Sequence, residues 1–258
     1  MSLSNYHTHT RYCDGKDSPE ELVLEAIRLG CPELGFSGHS YLPFTDWTMS
    51  EAGTAAYMRE IRRLQEKYRD RIRLYLGIEY DICSDLDTSP FDYVIGSVHY
   101  LYRDGCYLPV DESREDQITL VNEHYGGDFY SFVEDYYAAV SEVCEKTKCD
   151  IVGHFDLVTK FNEGGCLFDT SHPRYRKAAL EAMDRLLQHP VVFEINTGAM
   201  SRGYRTSPYP ESFLLQELEK RGAPLILSSD CHDKRNLLYG LEELQGSAKG
   251  IRPRLFMD

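Results

Sequence analysis

FYSFVEDYYAAVSEVCEKTKCDIVGH, residues 129–154, is the stretch from which the rest of the chain is read. Through Lys146 its apolar residues recur at helical spacing, and CDIVGH then forms a short β-branched run that ends in a histidine. A helical period giving way to such a run predicts a helix followed by a buried strand, with His154 at the strand's carboxyl end. One histidine in that position is ordinarily a hydrogen-bonded structural residue. Its meaning depends on whether the unit recurs.

It recurs along the whole chain. Seven strand candidates end near His7 to His9, at His39 (LGFSGH), Glu79 (RLYLGIE), His99 (YVIGSVH), His154, Asn196 (VVFEIN) and Asp230 (PLILSSD). Between them, amphipathic patterns predict helices over residues 18–29, 52–68, 129–146, 174–188 and 212–221. Ser18-Pro19-Glu20-Glu21 opens the first with a capping hydroxyl, a proline at N1 and acids in the first turn. Such alternation specifies a parallel sheet or barrel, here one domain over residues 1–258. A chain of 258 residues, 42% hydrophobic, has enough apolar material for one sizeable core. Residues 40–50 and 102–128 fit no unit. Both are turn-rich and aromatic, and both follow a strand ending in His, so they are expected to be long loops over a site at the strand ends.

Composition narrows the function. No run of eighteen apolar residues is present, and no charged region followed by an apolar run opens the chain, so a cytoplasmic protein without membrane contact is expected. The eight cysteines form no CxxC pair and no regular framework, which fits reduced thiols. A net charge of −14 argues against nucleic acid as the main partner, because phosphate backbones are bound by clustered Lys and Arg. A small phosphate ester is still allowed, since bound divalent ions invert the local sign of a pocket. The oligomeric state is left open.

Six of the nine histidines, His7, His9, His39, His99, His154 and His232, sit at or just beyond a predicted strand end, with Asp14, Glu79 and Asp230 in equivalent places. Barrel enzymes carry their chemistry on that rim, and these are ligand types for zinc, manganese or iron. His7-Thr8-His9 places two imidazoles on one side of a strand, and Asp230-Cys231-His232 repeats the spacing at the far end. Nothing resembles a nucleophile elbow or a P-loop, and Cys13 and Cys231 read as packing residues.

HTHTRYCDG (7–15), FSGHS (36–40), GIEYD (77–81), GSVHY (96–100), VGHFD (152–156) and SSDCHD (228–233) together resemble the ordered motifs of the polymerase and histidinol phosphatase (PHP) superfamily over nearly the whole chain. GIEYD, GSVHY, GGDFYSFVEDYY (126–137) and FEINTGAMSRG (193–203) resemble its histidinol-phosphate phosphatases in particular. The resemblance implies a distorted (β/α)7 TIM-like barrel holding two to three divalent metal ions, of zinc, manganese or iron. It assigns His7, His9, Glu79 and Asp230 to one ion and His99 and His154 to a second that shares Glu79. Asp14, His39 and His232 take a third, with nearby Asp17 as the alternative to Asp14. Glu79, Asp230 and His232 become the catalytic set. A hydroxide bridging two metals is the expected nucleophile, because paired ions lower the pKa of bound water. The charge of three divalent ions exceeds that of three carboxylates and a hydroxide by two, which matches a phosphate dianion.

Arg202 and Lys160 follow strand ends and read as phosphate contacts or as solvated surface charges. His124, in the long loop, reads as a substrate-contacting imidazole or as a surface histidine. Glu194 reads as a residue orienting a ligand, a partner for a substrate ammonium, or a structural carboxylate. The activity implied is hydrolysis of L-histidinol phosphate to L-histidinol and phosphate in histidine biosynthesis. Hydrolysis of another small or nucleotide phosphate by the same metals is the alternative, and a non-catalytic metal-binding accessory protein is the reading from another class.

Overall fold

The computed structural model describes residues 3–252 and 254–256. Helix α1 (Pro19–Arg28) begins at Ser18, whose hydroxyl caps the backbone N–H of Glu21 while the Glu21 side chain returns to the Ser18 backbone, a complete capping box. Strand β1 (Glu33–Phe36) follows, then α2 (Glu51–Tyr68), β2 (Arg73–Asp81) and β3 (Tyr93–Ser97). An antiparallel hairpin, β4 (Tyr100–Arg103) and β5 (Cys106–Pro109), leads to α3 (Arg114–Tyr125), α4 (Phe129–Ser141) and the short α5 (Val143–Thr147). The remainder runs β6 (Ile151–Val152), α6 (Pro173–Leu186), β7 (Val192–Asn196), α7 (Gly198–Ser201), α8 (Ser212–Lys220), β8 (Leu225–Ser228), α9 (Leu241–Leu244) and β9 (Ile251–Arg252).

Strands β1, β2, β3, β6, β7 and β8 pair in that order, all parallel. The seventh stave is residues 5–9. It lies between β1 and the chain beyond β8, where Gly35 N–H donates to the Asn5 carbonyl (2.8 Å) and Ser37 N–H to that of Thr8 (3.0 Å). On its other side His9 N–H donates to the Cys231 carbonyl (2.8 Å) and Cys231 N–H to that of His7 (3.0 Å). These are isolated bridges rather than a continuous ladder, so the barrel closes irregularly, as the distorted (β/α)7 reading requires. The lower part of the same β8 edge is taken by β9, with Leu225 opposite Ile251.

The barrel's lower interior is apolar and aromatic. Tyr6, Tyr93, Ile95, Ile151, Val192 and Ile226 fill it. The Tyr93 ring occupies space that exists only because residues 35 and 77 are glycines: a Cβ on Gly77 would lie 2.2 Å from the ring and one on Gly35 2.4 Å from its hydroxyl. A larger apolar layer, including Leu22, Tyr57, Ile61, Phe132, Tyr137, Tyr175 and Leu214, joins the helices to the outside of the sheet. Burial of such side chains contributes about 1.5–3 kcal/mol each. With aromatic packing below, the upper rim is left for polar groups.

Three expectations need amendment. Residues 102–128 are not a loop: they form most of the β4–β5 hairpin and the whole of α3, which Ser113 caps at the backbone N–H of Asp116 (3.0 Å). The predicted helix over 129–146 is broken at Glu142 into α4 and α5. Beyond β8 the chain leaves strand geometry, and Asp230 is left-handed (φ 45°). Residues 40–50 are irregular as expected. All eight cysteines are free of disulfides, and no described helix is long and apolar enough to cross a membrane.

Candidate active site

Every one of the nine expected ligand residues reaches a single centre at the carboxyl ends of the staves. A cavity of about 310 Å³ opens there, lined by Asp14, His39, Glu79, His99, His154, Asp230 and His232 together with Trp47, Asp111, Glu112, Leu157, Lys160, Arg202 and Tyr204. His7 and His9 are buried against the same groups.

Glu79 is the hub. It stands near the end of β2, 1% exposed, and its two oxygens face different imidazoles. Oε1 lies 2.8 Å from His154 Nε2 and 3.4 Å from His99 Nε2. Oε2 lies 3.1 Å from His7 Nε2, 3.4 Å from His9 Nε2 and 3.0 Å from His39 Nδ1. A carboxylate with imidazoles on both sides has the form of a bridge between cations. Asp230 Oδ1 is 3.1 Å from His9 Nε2 and 3.4 Å from His232 Nδ1. Asp14 sits 3.1 Å from His232 Nε2 and 3.5 Å from His39 Nε2. Asp17, the alternative, is occupied by Lys234: its Oδ2 accepts from the backbone N–H at 2.7 Å and its Oδ1 pairs with the ammonium at 3.1 Å.

Four sets of donor atoms are compact enough to hold an ion: His9, Asp14, His39 and His232; His7, His9 and Asp230; His7, Glu79 and His154; and His39, Glu79 and His99. The first two match the expected grouping closely. His99 and His154 fall into different sets, each with Glu79, rather than sharing one. The donor chemistry also fits a metal. His7 Nε2, His9 Nε2 and Glu79 Oε2 are buried with no hydrogen-bond partner. Orphaned buried acceptors cost free energy unless something occupies the space between them, and a divalent ion satisfies all three at once.

A second ring of side chains aims the first. His7 Nδ1 is 2.6 Å from Glu194 Oε1, which fixes the ring so that Nε2 faces Glu79. Glu194 Oε2 accepts from the His154 backbone N–H (2.9 Å) and from Asn196 Nδ2 (2.9 Å), and Ser228 Oγ donates to Oε1. Of the three readings open for Glu194, its contacts are those of a residue orienting a ligand. Asp81 Oδ2 does the same for His99, 3.2 Å from Nδ1 and 2.7 Å from the backbone nitrogen. Asp81 was missed, although its position two residues after Glu79 in GIEYD puts it on the same strand face. Gly198 completes the support of Asp230, since a Cβ there would stand 2.6 Å from the carboxylate.

Electrostatics follows from this packing. Burial works to neutralise His7, yet the carboxylates of Glu194, Glu79 and Asp230 hold its pKa well above the ordinary value. Burial, with His232 and His39 nearby, instead pushes His9 down to about 3, so it is a neutral donor. Glu79 and Asp230 stay ionised although buried. Imidazoles of His7, His39 and His99 hold the first well below the carboxylate range, and Arg202, His7 and His232 hold the second.

Of the expected substrate contacts, Arg202 and Lys160 line the cavity and His124 does not. Arg202 Nη2 donates to Asp230 Oδ2 at 3.1 Å, and Nη1 lies 2.7 Å from His232 Nδ1. Lys160, 12% exposed, donates to the side chain of Asp111 (2.9 Å) and to its carbonyl (2.8 Å). His124 lies in the last turn of α3, outside the cavity wall. The reason is the helix itself: α3 turns Gln117, Leu120, Val121 and Tyr125 into the core and leaves His124 only half-buried. Trp47, which donates from Nε1 to Tyr100 Oη (3.2 Å) and packs edge-on to His39, was another wall residue with no signal in the sequence.

The PHP domain model matches residues 5–198. Among curated relatives, a histidinol-phosphatase of Bacillus subtilis is 28% identical over 94% of this chain and 98% of its own. One of Lactococcus lactis is 27% identical over 90% and 85%. Among solved structures, histidinol phosphate phosphatase of Lactococcus lactis, complexed with zinc, L-histidinol and phosphate, superimposes with a TM-score of 0.69. It is 22% identical and covers 95% of this chain and 92% of that one. At that identity the likeness establishes the fold.

Proposed function

The chain belongs to the PHP domain family, and from that premise we propose that it is a metal-dependent phosphomonoesterase hydrolysing L-histidinol phosphate to L-histidinol and inorganic phosphate. The names of its relatives and the ligands of the Lactococcus lactis structure support the substrate. The observation that carries the chemistry is the two-sided Glu79, with its orphaned Oε2 facing the orphaned Nε2 atoms of His7 and His9.

In this reading the site holds two to three ions of zinc, manganese or iron. His7, His9, Glu79 and Asp230 would hold one; Glu79, His99 and His154 a second; and Asp14, His39 and His232 a third. When bound, such ions lower the pKa of water and withdraw charge from the phosphoryl oxygens. The chain's own groups do the positioning. Glu79 and Asp230 supply buried negative charge that keeps closely spaced cations together. His232 is held through Nδ1, 2.9 Å from the Asp230 carbonyl, with Nε2 turned to Asp14. Arg202 and Lys160 are the two cations on the cavity wall and orient the phosphate dianion, as fixed donors do when reacting groups must be aligned.

The test is hydrolysis of a panel of phosphate esters by protein of defined metal content. L-Histidinol phosphate should exceed p-nitrophenyl phosphate in kcat/KM by about a hundredfold or more, because binding energy from the non-reacting end serves the reacting end. Equal rates on the two esters would refute the substrate, and failure of zinc, manganese, iron or cobalt to support any turnover would refute the metal mechanism.

A further inference from the structure

Arg205 is a buried cation for which the reaction has no use. It is 8% exposed, lies outside the cavity wall, and stands three residues after Arg202 on the loop that follows β7. Its contacts lie mostly on the other phosphate-facing loop, the one that follows β6. Nη1 donates to Thr159 Oγ1, beside Lys160, and lies 3.9 Å from Asp156 Oδ2, two residues after His154. Thr159 is in turn tied to Asp156, whose carbonyl accepts from its hydroxyl at 2.7 Å. The Arg205 guanidinium also stacks on Tyr209 of its own loop, 4.6 Å from the ring centre. Asp156 is fully buried and reaches back as well, accepting from the backbone N–H of Glu211 at 2.9 Å. At the cavity surface the loops meet again, where the Lys160 ammonium lies 5.0 Å above the Tyr204 ring.

We propose that Arg205 is a positioning residue for phosphate recognition: by joining the loop after β7 to the loop after β6, it fixes the separation of Arg202 and Lys160. This rests on the reading that those two cations bind the phosphate. A planar guanidinium suits the task because one group can pair with a carboxylate, donate to a hydroxyl and stack on a ring, and each contact restrains a different direction. Two cations held at a set distance meet a dianion without ordering long side chains at the moment of binding.

The experiment is a double-mutant cycle read by calorimetric titration of inorganic phosphate into the zinc-loaded full-length protein, with zinc content and melting temperature measured on each variant. Arg202→Ala should weaken phosphate about tenfold or more. Arg205→Met should weaken it about tenfold in the wild-type background but less than about threefold when Arg202 is already alanine, since a residue acting through another loses its effect when the other is gone. Equal losses in both backgrounds would mean general damage and overturn the inference. So would unchanged phosphate affinity in folded, zinc-replete Arg205→Met. If Arg202→Ala and Lys160→Ala both bind phosphate like wild type, the assignment of those cations fails and takes the inference with it. Loss in those two variants without loss in Arg205→Met removes the inference alone. Should Arg205→Met not fold, Arg205→Lys, which keeps the charge toward Asp156 but not the planar contacts, is carried through the same cycle under the same criteria.

Discussion

Glu79 faces five imidazoles from four staves, and its charge is what allows them to approach one another. Glu79→Gln keeps the shape, loses the charge and turns an amide N–H toward at least one ring. Metal content should fall by about one ion per chain and kcat by more than about a hundredfold. Elemental analysis with turnover checks this, and near wild-type kcat at full occupancy would remove Glu79 from the bridge. A second residue gives a pH signature. Burial beside Asp156, opposed by Arg205, pushes the Glu211 carboxyl up to about 7. Its folded pKa then exceeds its unfolded one, so the folded state binds the extra proton between about pH 4.5 and 7 and loses stability as pH rises through that window. Glu211 is only partly buried, which limits the loss to no more than about 2 kcal/mol. Glu211→Gln should therefore raise the melting temperature at pH 8 and change it little at pH 5. An equal shift at both pH values would show that the carboxyl does not titrate there.

At the scale of elements, the short helix α7 has a single tight constraint. Gly198, its first residue, lies so close to Asp230 that a methyl group would stand within 2.6 Å of the carboxylate. The neighbouring stave cannot yield easily, because Asp230 is already left-handed and Cys231 is bonded to the closing stave. Gly198→Ala should displace Asp230, lower metal content and reduce kcat by about tenfold or more. A melting curve and metal assay distinguish this from unfolding. Elements also divide what the sequence made legible from what it hid. His7 and His9 could be placed because a strand has period two, and α1 because Ser18, Pro19 and Glu21 write a capping box. The hairpin and α3 could not, since α3 mixes Arg114, Glu115, Asp116 and Glu123 with few apolar residues and lacks a clear hydrophobic stripe. Its helical state comes from packing on α4 and on the hairpin, so His124 was assigned to a loop that does not exist. Asp81 was hidden for another reason, which also left the reading of Glu194 open: a side chain's hydrogen-bond partner on a neighbouring stave depends on strand order and register, which one sequence does not spell out.

Across the whole molecule, the proposed ligands come from six of the seven staves, with β7 contributing Glu194 behind them. Bound ions would tie the rim together where the aromatic packing below does not reach. Removing them with a chelator should lower the melting temperature by roughly 10 °C or more, recovered on adding zinc, because a ligand that binds only the folded state stabilises it. A melting temperature indifferent to chelation would mean that the lower core alone holds the barrel shut. That the chain forms one barrel was legible from the recurring strand–helix alternation, and its motifs implied a distorted one; which contacts close it was not legible, since closure depends on isolated bridges rather than on a patterned run. The closing stave carries a consequence for biogenesis. Asn5 donates from Nδ2 to Ser229 Oγ, a contact spanning 224 residues, and His9 bonds to Cys231 across a similar span. A ribosome delivers the first of these partners long before the second. Until the stave ending at Asp230 leaves the exit tunnel, His7 and His9 lack the Asp230 carboxylate and their second backbone neighbour, and the far edge of their own stave is uncovered. Long-range closures of this kind are slow and leave strand edges open to wrong partners while they wait. The barrel therefore stays open until that last stave docks, and the cluster of His7, His9 and Asp230 is complete only then.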